Sequence, residues 1–163
     1  DLIALLDRCG ALGIHRAVDT TLFASPDTVR SVMGRTDLFL VDLKHMDSGS
    51  HHRFTGVPNE RILSNLRMIA EAGMDFLIRI PLIEGVNADE ENISRSAIFL
   101  ASLPWKRKVV NLLPYHDIGK GKHDKRGTLY NPGHLPLSTP SEAVLQRCID
   151  QFASCGITAL IGG

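Results

Sequence analysis

Residues 37–44 have the sequence Asp-Leu-Phe-Leu-Val-Asp-Leu-Lys, a near-continuous apolar run that ends with two charged residues among its last three. Runs of this kind are typical of parallel strands that are buried on both faces. Two more runs follow along the chain, at residues 75–83 and 108–115. Segments with helical periodicity separate these runs. This alternation predicts an α/β fold with a mainly parallel sheet and right-handed crossover helices.

Shorter elements complete the pattern, in the order α-β-α-β-α-α-β-α-β-loop-α-β. Helices are predicted at residues 2–12, from Ser25-Pro26 onward, at 47–54, from an Asn59 cap to 73, from 87 or 89 to 103, and from 138 to 154, with further strands at 15–19 and 157–161. Residues 117–137 have no periodicity, and loops of that length in compact domains usually have a functional reason. The sequence predicts one domain over residues 1–163.

The composition excludes several classes of partner. Lys and Arg together number 18, as do Asp and Glu, so no net charge favours nucleic acid or an anionic membrane. No apolar run approaches the roughly 18 residues of a transmembrane helix. The three cysteines, Cys9, Cys148 and Cys155, lack the spacing of a disulfide framework. We interpret Cys148 and Cys155 as small buried residues and predict a cytoplasmic location.

Charged side chains collect where the predicted strands end. The first strand ends at Asp19, the second at Asp42 and Lys44, and the fourth at His116, while Arg79 lies within the third. The carboxyl ends of parallel strands converge on one site, so we expect these side chains to lie near one another. Asp42 and Lys44 are two residues apart on a strand and should face the same side.

Each of these residues also has a structural interpretation when it is taken singly. Asp19 could cap the next helix, and Asp42 with Lys44 could be an ion pair at a strand end. Arg79 could neutralise one carboxylate, because an unpaired buried guanidinium is costly. His116 could be a hydrogen-bonded structural residue. Their coincidence at four strand ends instead favours a site for a zwitterionic, amino-acid-like ligand or a cation.

Other histidines and basic residues suggest less. His51, His52 and His123 lack convincing zinc spacing, and we predict that they are surface residues. The basic stretch at residues 120–126 is predicted to be a solvated loop, with a lid over the strand ends as the functional alternative.

Four segments resemble the glycyl radical enzyme activating enzymes in order and spacing. They are residues 41–47 (Val-Asp-Leu-Lys-His-Met-Asp), 55–59 (Thr-Gly-Val-Pro-Asn), 78–87 (Ile-Arg-Ile-Pro-Leu-Ile-Glu-Gly-Val-Asn) and 112–116 (Leu-Leu-Pro-Tyr-His). The resemblance covers nearly the whole chain, and the pairing of Asp-Leu-Lys with Leu-Leu-Pro-Tyr-His is its specific part. It implies the C-terminal portion of a partial (β/α)6 barrel of the radical S-adenosylmethionine type.

The resemblance also implies a reaction. A [4Fe–4S] cluster would cleave S-adenosylmethionine reductively, and the resulting radical would abstract a hydrogen from a backbone glycine of a glycyl radical enzyme, such as a pyruvate formate-lyase. Reduced flavodoxin or ferredoxin would donate the electron. By the same resemblance, Lys44 and His116 would contact S-adenosylmethionine, with Arg79 near it. Asp19 and Asp42 would help to bind a monovalent cation beside its carboxylate.

Two departures from the family pattern qualify this expectation. The family often has Asp-Thr-x-Gly where residues 19–22 are Asp-Thr-Thr-Leu. The Cys-x-x-x-Cys-x-x-Cys motif and a Gly-Gly-Glu segment are absent, and we expect both to precede Asp1. The chain alone would then contain no catalytic residue and no iron–sulfur ligand, and it would be inactive. Its strand at 15–19 would expose an open edge.

Two other functions compete with this one. The first is a barrel lyase that forms a Schiff base at Lys44, although Asp42 on the same face would stabilise the lysine charge and disfavour it. The second is a non-catalytic interaction domain.

Overall fold

The computed structural model describes residues 1–116 and 137–162. Five strands form one sheet in chain order: β1 (Ala17–Thr20), β2 (Leu38–Asp42), β3 (Phe76–Leu82), β4 (Val109–Pro114) and β5 (Thr158–Ile161). The described helices are α1 (Leu2–Ala11), α2 (Pro26–Met33), α3 (Ser48–Thr55), α4 (Glu60–Glu71), α5 (Glu90–Ala101) and α6 (Glu142–Ser154). All four strand pairings are parallel, which confirms the predicted class and element order. The basic stretch at 120–126 and His123 lie outside the described residues.

The two faces of the sheet differ in burial. Along β2, β3 and most of β4, buried residues alternate with half-buried ones. The buried face includes Phe39, Ile78 and Leu112, which belong to one core with residues of the helices such as Leu66 and Leu100. Each such apolar side chain contributes roughly 1.5–3 kcal/mol by leaving water. The predicted burial of these parallel strands is confirmed for one face of the sheet, and the half-buried face presents Asp42 and Arg79.

Two predicted helix caps and the first strand of the sheet can be compared with the structure. Ser25 caps α2 and accepts a hydrogen bond from the Thr28 amide at 3.2 Å. Asn59 occupies the cap position of α4 as predicted, but its side chain does not bond to that helix. Among the described residues, β1 pairs only with β2, so β1 lies at the sheet edge.

The cysteines fit their predicted structural interpretation only in part. Cys148 is fully buried in α6, whereas Cys155 is only half-buried, so the prediction is wrong for Cys155. Burial raises the pKa of the Cys148 thiol. All three cysteines are free.

Candidate functional site

Four charged side chains form a continuous row across β1, β2 and β3, here called the charge row: Asp19, Arg79, Asp42 and Lys44. Asp19, Asp42 and Lys44 lie near or just after the carboxyl ends of β1 and β2, whereas Arg79 lies in the middle of β3. The sheet register makes Asp42 and Arg79 direct cross-strand partners. Arg79 Nη2 lies 2.5 Å from Asp19 Oδ1 and 2.8 Å from Asp42 Oδ1. Lys44 Nζ donates to Asp42 Oδ2 at 3.1 Å. Asp42 therefore contacts both cations of the row.

The members of the charge row differ in burial. The side chains of Asp42 and Arg79 are 21% and 23% exposed, whereas that of Asp19 is 60% exposed. Partial burial alone lowers the pKa of the Arg79 guanidinium, but the hydrogen bonds and charges of Asp19 and Asp42 outweigh that effect and raise it. The row is thus electrically balanced, with two carboxylates and two cations.

The structure brings together four of the five predicted site residues. Arg79 neutralises both carboxylates, and Lys44 and Asp42 are paired, as two of the structural interpretations proposed. His116 is exposed and follows β4, the neighbouring strand. With the described residues, His116 has no hydrogen bond or ion pair to the charge row. It lies at the carboxyl end of β4, the same end of the parallel strands at which Asp42 ends β2.

One residue of the loop after β1 has a left-handed backbone conformation although it is leucine and not glycine. Leu22 has a φ of 60°, where the family pattern has glycine. Its amide donates to Thr20 Oγ1 at 2.9 Å, and its carbonyl accepts from Asn65 Nδ2 at 2.9 Å. A left-handed leucine costs about 1–2 kcal/mol. Because the Leu22 side chain is buried, its removal from water offsets that cost by roughly 1.5–3 kcal/mol.

Lys44 lines two cavities. One, of about 170 Å³, has mainly apolar walls that include Phe54 and Val86. The other, of about 280 Å³, reaches Asp42 and Phe23. A ligand in either cavity would therefore contact the Lys44 side chain.

His51 corrects the prediction that His51 and His52 are both surface residues. Only His52 is exposed, whereas His51 is buried and also lines both cavities. The His51 Nδ1 atom lies 2.6 Å from the Val57 carbonyl and 2.9 Å from Thr55 Oγ1. These contacts close the turn after α3, where Gly56 takes a φ of 83°. His51 is therefore a hydrogen-bonded structural residue that lines the same two cavities as Lys44.

Sequence reasoning missed three buried asparagines around Lys44: Asn59, Asn87 and Asn92. All three donate or accept hydrogen bonds with the backbone that follows β2. Asn59 and Asn87 occur in the segments that carry the family resemblance, but nothing in a linear sequence says which carbonyl a side-chain amide will reach. The only available signal was their position beside turns.

The described residues hold no group of three or more His, Cys, Asp or Glu side chains that could bind a metal ion. The cysteines do not fit a cluster, since Cys148 is buried within α6 and Cys9 lies on α1. The charge row offers paired charges of both signs, and two of its members, Asp42 and Lys44, line a cavity. Lys44 is paired with Asp42, which disfavours a neutral, nucleophilic lysine.

A solved structure identifies the family. The chain is 52% identical to a crystal structure of a domain of pyruvate-formate lyase-activating enzyme from Bacteroides vulgatus ATCC 8482, with a TM-score of 0.84 over 99% of this chain and 89% of that one. The chain belongs to the glycyl radical enzyme activating enzymes. No protein-family model matches it.

The chain has curated relatives that are named for different enzymes. It is 38% identical to the trans-4-hydroxy-L-proline dehydratase activating enzyme of Clostridioides difficile, over 99% of this chain and 53% of the relative. It is 37% identical to the choline trimethylamine-lyase activating enzyme of Oleidesulfovibrio alaskensis, over 92% and 49%. The chain thus spans about half the length of the curated relatives it matches. A radical SAM methyltransferase from Sphaerobacter thermophilus, 21% identical with a TM-score of 0.65 over 93% of this chain and 42% of that one, shares its fold.

Within the described parts of the chain, no helix has the length and apolar character needed to cross a membrane.

Proposed function

We propose that this chain is the C-terminal part of a single radical S-adenosylmethionine barrel domain, in an enzyme that forms a glycyl radical on a partner protein. The observation that carries the proposal is the charge row, which joins the carboxyl ends of β1 and β2 to the middle of β3 in a chain of the activating enzyme family. S-adenosylmethionine and a [4Fe–4S] cluster, whose ligands would lie outside this chain, supply the radical chemistry when they are bound.

The residues of this chain would bind and orient S-adenosylmethionine. Lys44 and His116 would contact it, with Arg79 nearby, and the opposite charges of the row would complement its zwitterionic amino-acid end. Two half-buried cations beside a cavity offer stronger interactions than exposed ones, because less water screens them.

Asp19 and Asp42 would help to hold a monovalent cation beside the ligand carboxylate. In the structure their Oδ1 atoms contact Arg79, and Asp42 Oδ2 accepts from Lys44. A bound cation would therefore compete with Lys44 for Asp42 and release the ammonium toward the ligand. This exchange links cation binding to ligand binding.

The partner would be a glycyl radical enzyme resembling pyruvate formate-lyase. The 52% identity to the Bacteroides domain supports this choice over the partner classes named for the less similar relatives. Reduced flavodoxin or ferredoxin would supply the electron for this class of reaction, and a cytoplasmic location suits such donors.

Titration of S-adenosylmethionine into the full-length protein tests the proposal. Lys44→Ala and His116→Ala should each weaken binding by roughly ten- to a hundredfold, since one charged hydrogen bond contributes on the order of 1.5–3 kcal/mol. Lys106→Ala is the matched control, because Lys106 is exposed and precedes β4 at the opposite edge of the sheet. Asp42→Asn should abolish any preference for a monovalent metal ion over tetramethylammonium. Unchanged affinity in both Lys44→Ala and His116→Ala would exclude the proposed site.

A further inference from the structure

Asn87 connects the end of β2 to the end of β3. Its Nδ2 group donates to the Lys44 carbonyl at 2.8 Å and to the Pro81 carbonyl at 2.7 Å. Its Oδ1 atom accepts from the Ile83 amide at 2.8 Å. Both amide hydrogens are thus used by backbone carbonyls. Although Asn87 lines the smaller cavity, it has no donor left for a ligand there.

Two more asparagines hold the next two residues of the same loop. Asn92 accepts from the Met46 amide at 2.8 Å and donates to the Asn87 carbonyl at 2.8 Å. Asn59 donates to the His45 carbonyl at 2.9 Å. Three consecutive residues after β2 are therefore each bound by a different asparagine. We call Asn59, Asn87 and Asn92 the asparagine clamp.

The clamp joins three separate parts of the fold. Asn59 precedes α4, Asn87 lies in the turn after β3, and Asn92 belongs to the first turn of α5. All three side chains are buried, so an amide left without a partner would destabilise the fold. The loop after β2 cannot shift unless several of these bonds break together. The Asn59 side chain makes no cap bond to its own helix. Among the described residues, its side chain instead donates to the His45 carbonyl of the loop.

We propose that Asn87, supported by Asn92 and Asn59, is a positioning residue for Lys44, an inference that rests on the proposed role of Lys44 in binding S-adenosylmethionine. The clamp fixes the carbonyl of Lys44 and the two residues that follow, so only the side chain remains free to rotate. The Lys44 ammonium is then held within reach of Asp42, on a side chain that lines both cavities. Preorganisation of this kind reduces the entropy that ligand binding would otherwise cost.

A double-mutant cycle in the full-length protein tests the inference with S-adenosylmethionine as the probe. Asn87→Ala should weaken binding about tenfold when Lys44 is present and less than about twofold in a Lys44→Ala background, because the clamp acts through Lys44.

Asn65→Ala is the matched control for this cycle. Asn65 is equally buried, and its Nδ2 group donates to two carbonyls, those of Leu22 and Ala24, at 2.9 and 3.0 Å, in the loop after β1. Asn65→Ala should change the affinity for S-adenosylmethionine by the same factor in the wild-type background and in the Lys44→Ala background.

Amide hydrogen exchange provides a second readout that does not depend on the ligand. In Asn87→Ala the Met46 amide should exchange at least about tenfold faster, because the clamp loosens as a unit, whereas Asn65→Ala should leave it unchanged. If Asn87→Ala does not fold, Asn59→Ala removes a single clamp bond and should show the same pattern with smaller changes.

The outcomes separate the inference from the proposed function. Equal weakening by Asn87→Ala in both backgrounds would overturn the positioning role and leave the role of Lys44 intact. Unchanged exchange at Met46 in a folded Asn87→Ala variant would also overturn it. Full affinity in Lys44→Ala would overturn the proposed role of Lys44 and the positioning role with it, whereas full affinity in both Lys44→Ala and His116→Ala would exclude the proposed site.

Discussion

Replacement of Arg79 by methionine tests whether burial sets the strength of the ion pairs in the charge row. Methionine keeps the apolar stem of the side chain but removes the guanidinium that joins Asp19 and Asp42. The variant leaves Asp42 with Lys44 as its remaining cation in the row. It also leaves Asp19 without a cation from the row, but in contact with water.

The two lost interactions should differ in size. Asp42 is 21% exposed, so loss of its charged hydrogen bond should cost about 1.5–3 kcal/mol. Asp19 is 60% exposed, and such a pair contributes about 0–1 kcal/mol. We expect the free energy of unfolding to fall by roughly 2–3 kcal/mol, which lowers the Tm of a domain of this size by about 5–10 °C.

Urea denaturation of the single and double variants measures these terms. Arg79→Met should couple to Asp42→Asn by about 1.5–3 kcal/mol and to Asp19→Asn by less than about 1 kcal/mol. Arg30→Met is the control, because its pair with Asp27 is 2.7 Å long but both side chains are well exposed, and it should cost less than about 0.5 kcal/mol. If Arg30→Met costs as much as Arg79→Met, or if Asp19 couples more strongly than Asp42, burial does not determine these energies.

Two further predictions concern the ion pair between Arg16 and Asp37 and the exposed edge of β1. Asp37 accepts hydrogen bonds from the Arg16 amide and guanidinium, which hold the pKa of its carboxyl well below the usual range. Because the folded-state pKa is depressed, the bond stabilises the protein fully above the unfolded value of about 4, so Asp37→Asn should be less stable at pH 7 and the deficit should shrink as the pH falls below about 4. Urea midpoints between pH 3 and pH 7 measure this, and a constant deficit would contradict it. The open β1 edge should make the 163-residue chain self-associate, with a light-scattering mass that rises with concentration and falls again in Ala17→Lys. A strictly monomeric chain at all concentrations would show that β1 does not act as a pairing edge.

Periodicity and local composition predicted the order of the elements. The apolar run at residues 37–44 gave β2, and the Ser25-Pro26 pair gave the start of α2. The two-residue repeat of a strand also placed Asp42 and Lys44 on one side, where they form an ion pair. These features depend on residues near one another in the sequence, so a linear reading could reach them.

Other features could be identified only from the folded structure. The register that sets Asp42 beside Arg79, the burial of His51 and the left-handed Leu22 all depend on contacts between distant segments. The positions of the asparagine clamp depend on such contacts in the same way, because Asn87 and Lys44 are 43 residues apart in sequence.

The sequence by itself determined which strands form, which way they run and which charged residues end them, since strand period and crossover handedness are local properties of the chain. The tertiary structure alone decided that Arg79 bridges two carboxylates and that three amides bind one loop. A hydrogen bond requires its two atoms to meet at about 3 Å, and only the packed sheet and helices fix that separation.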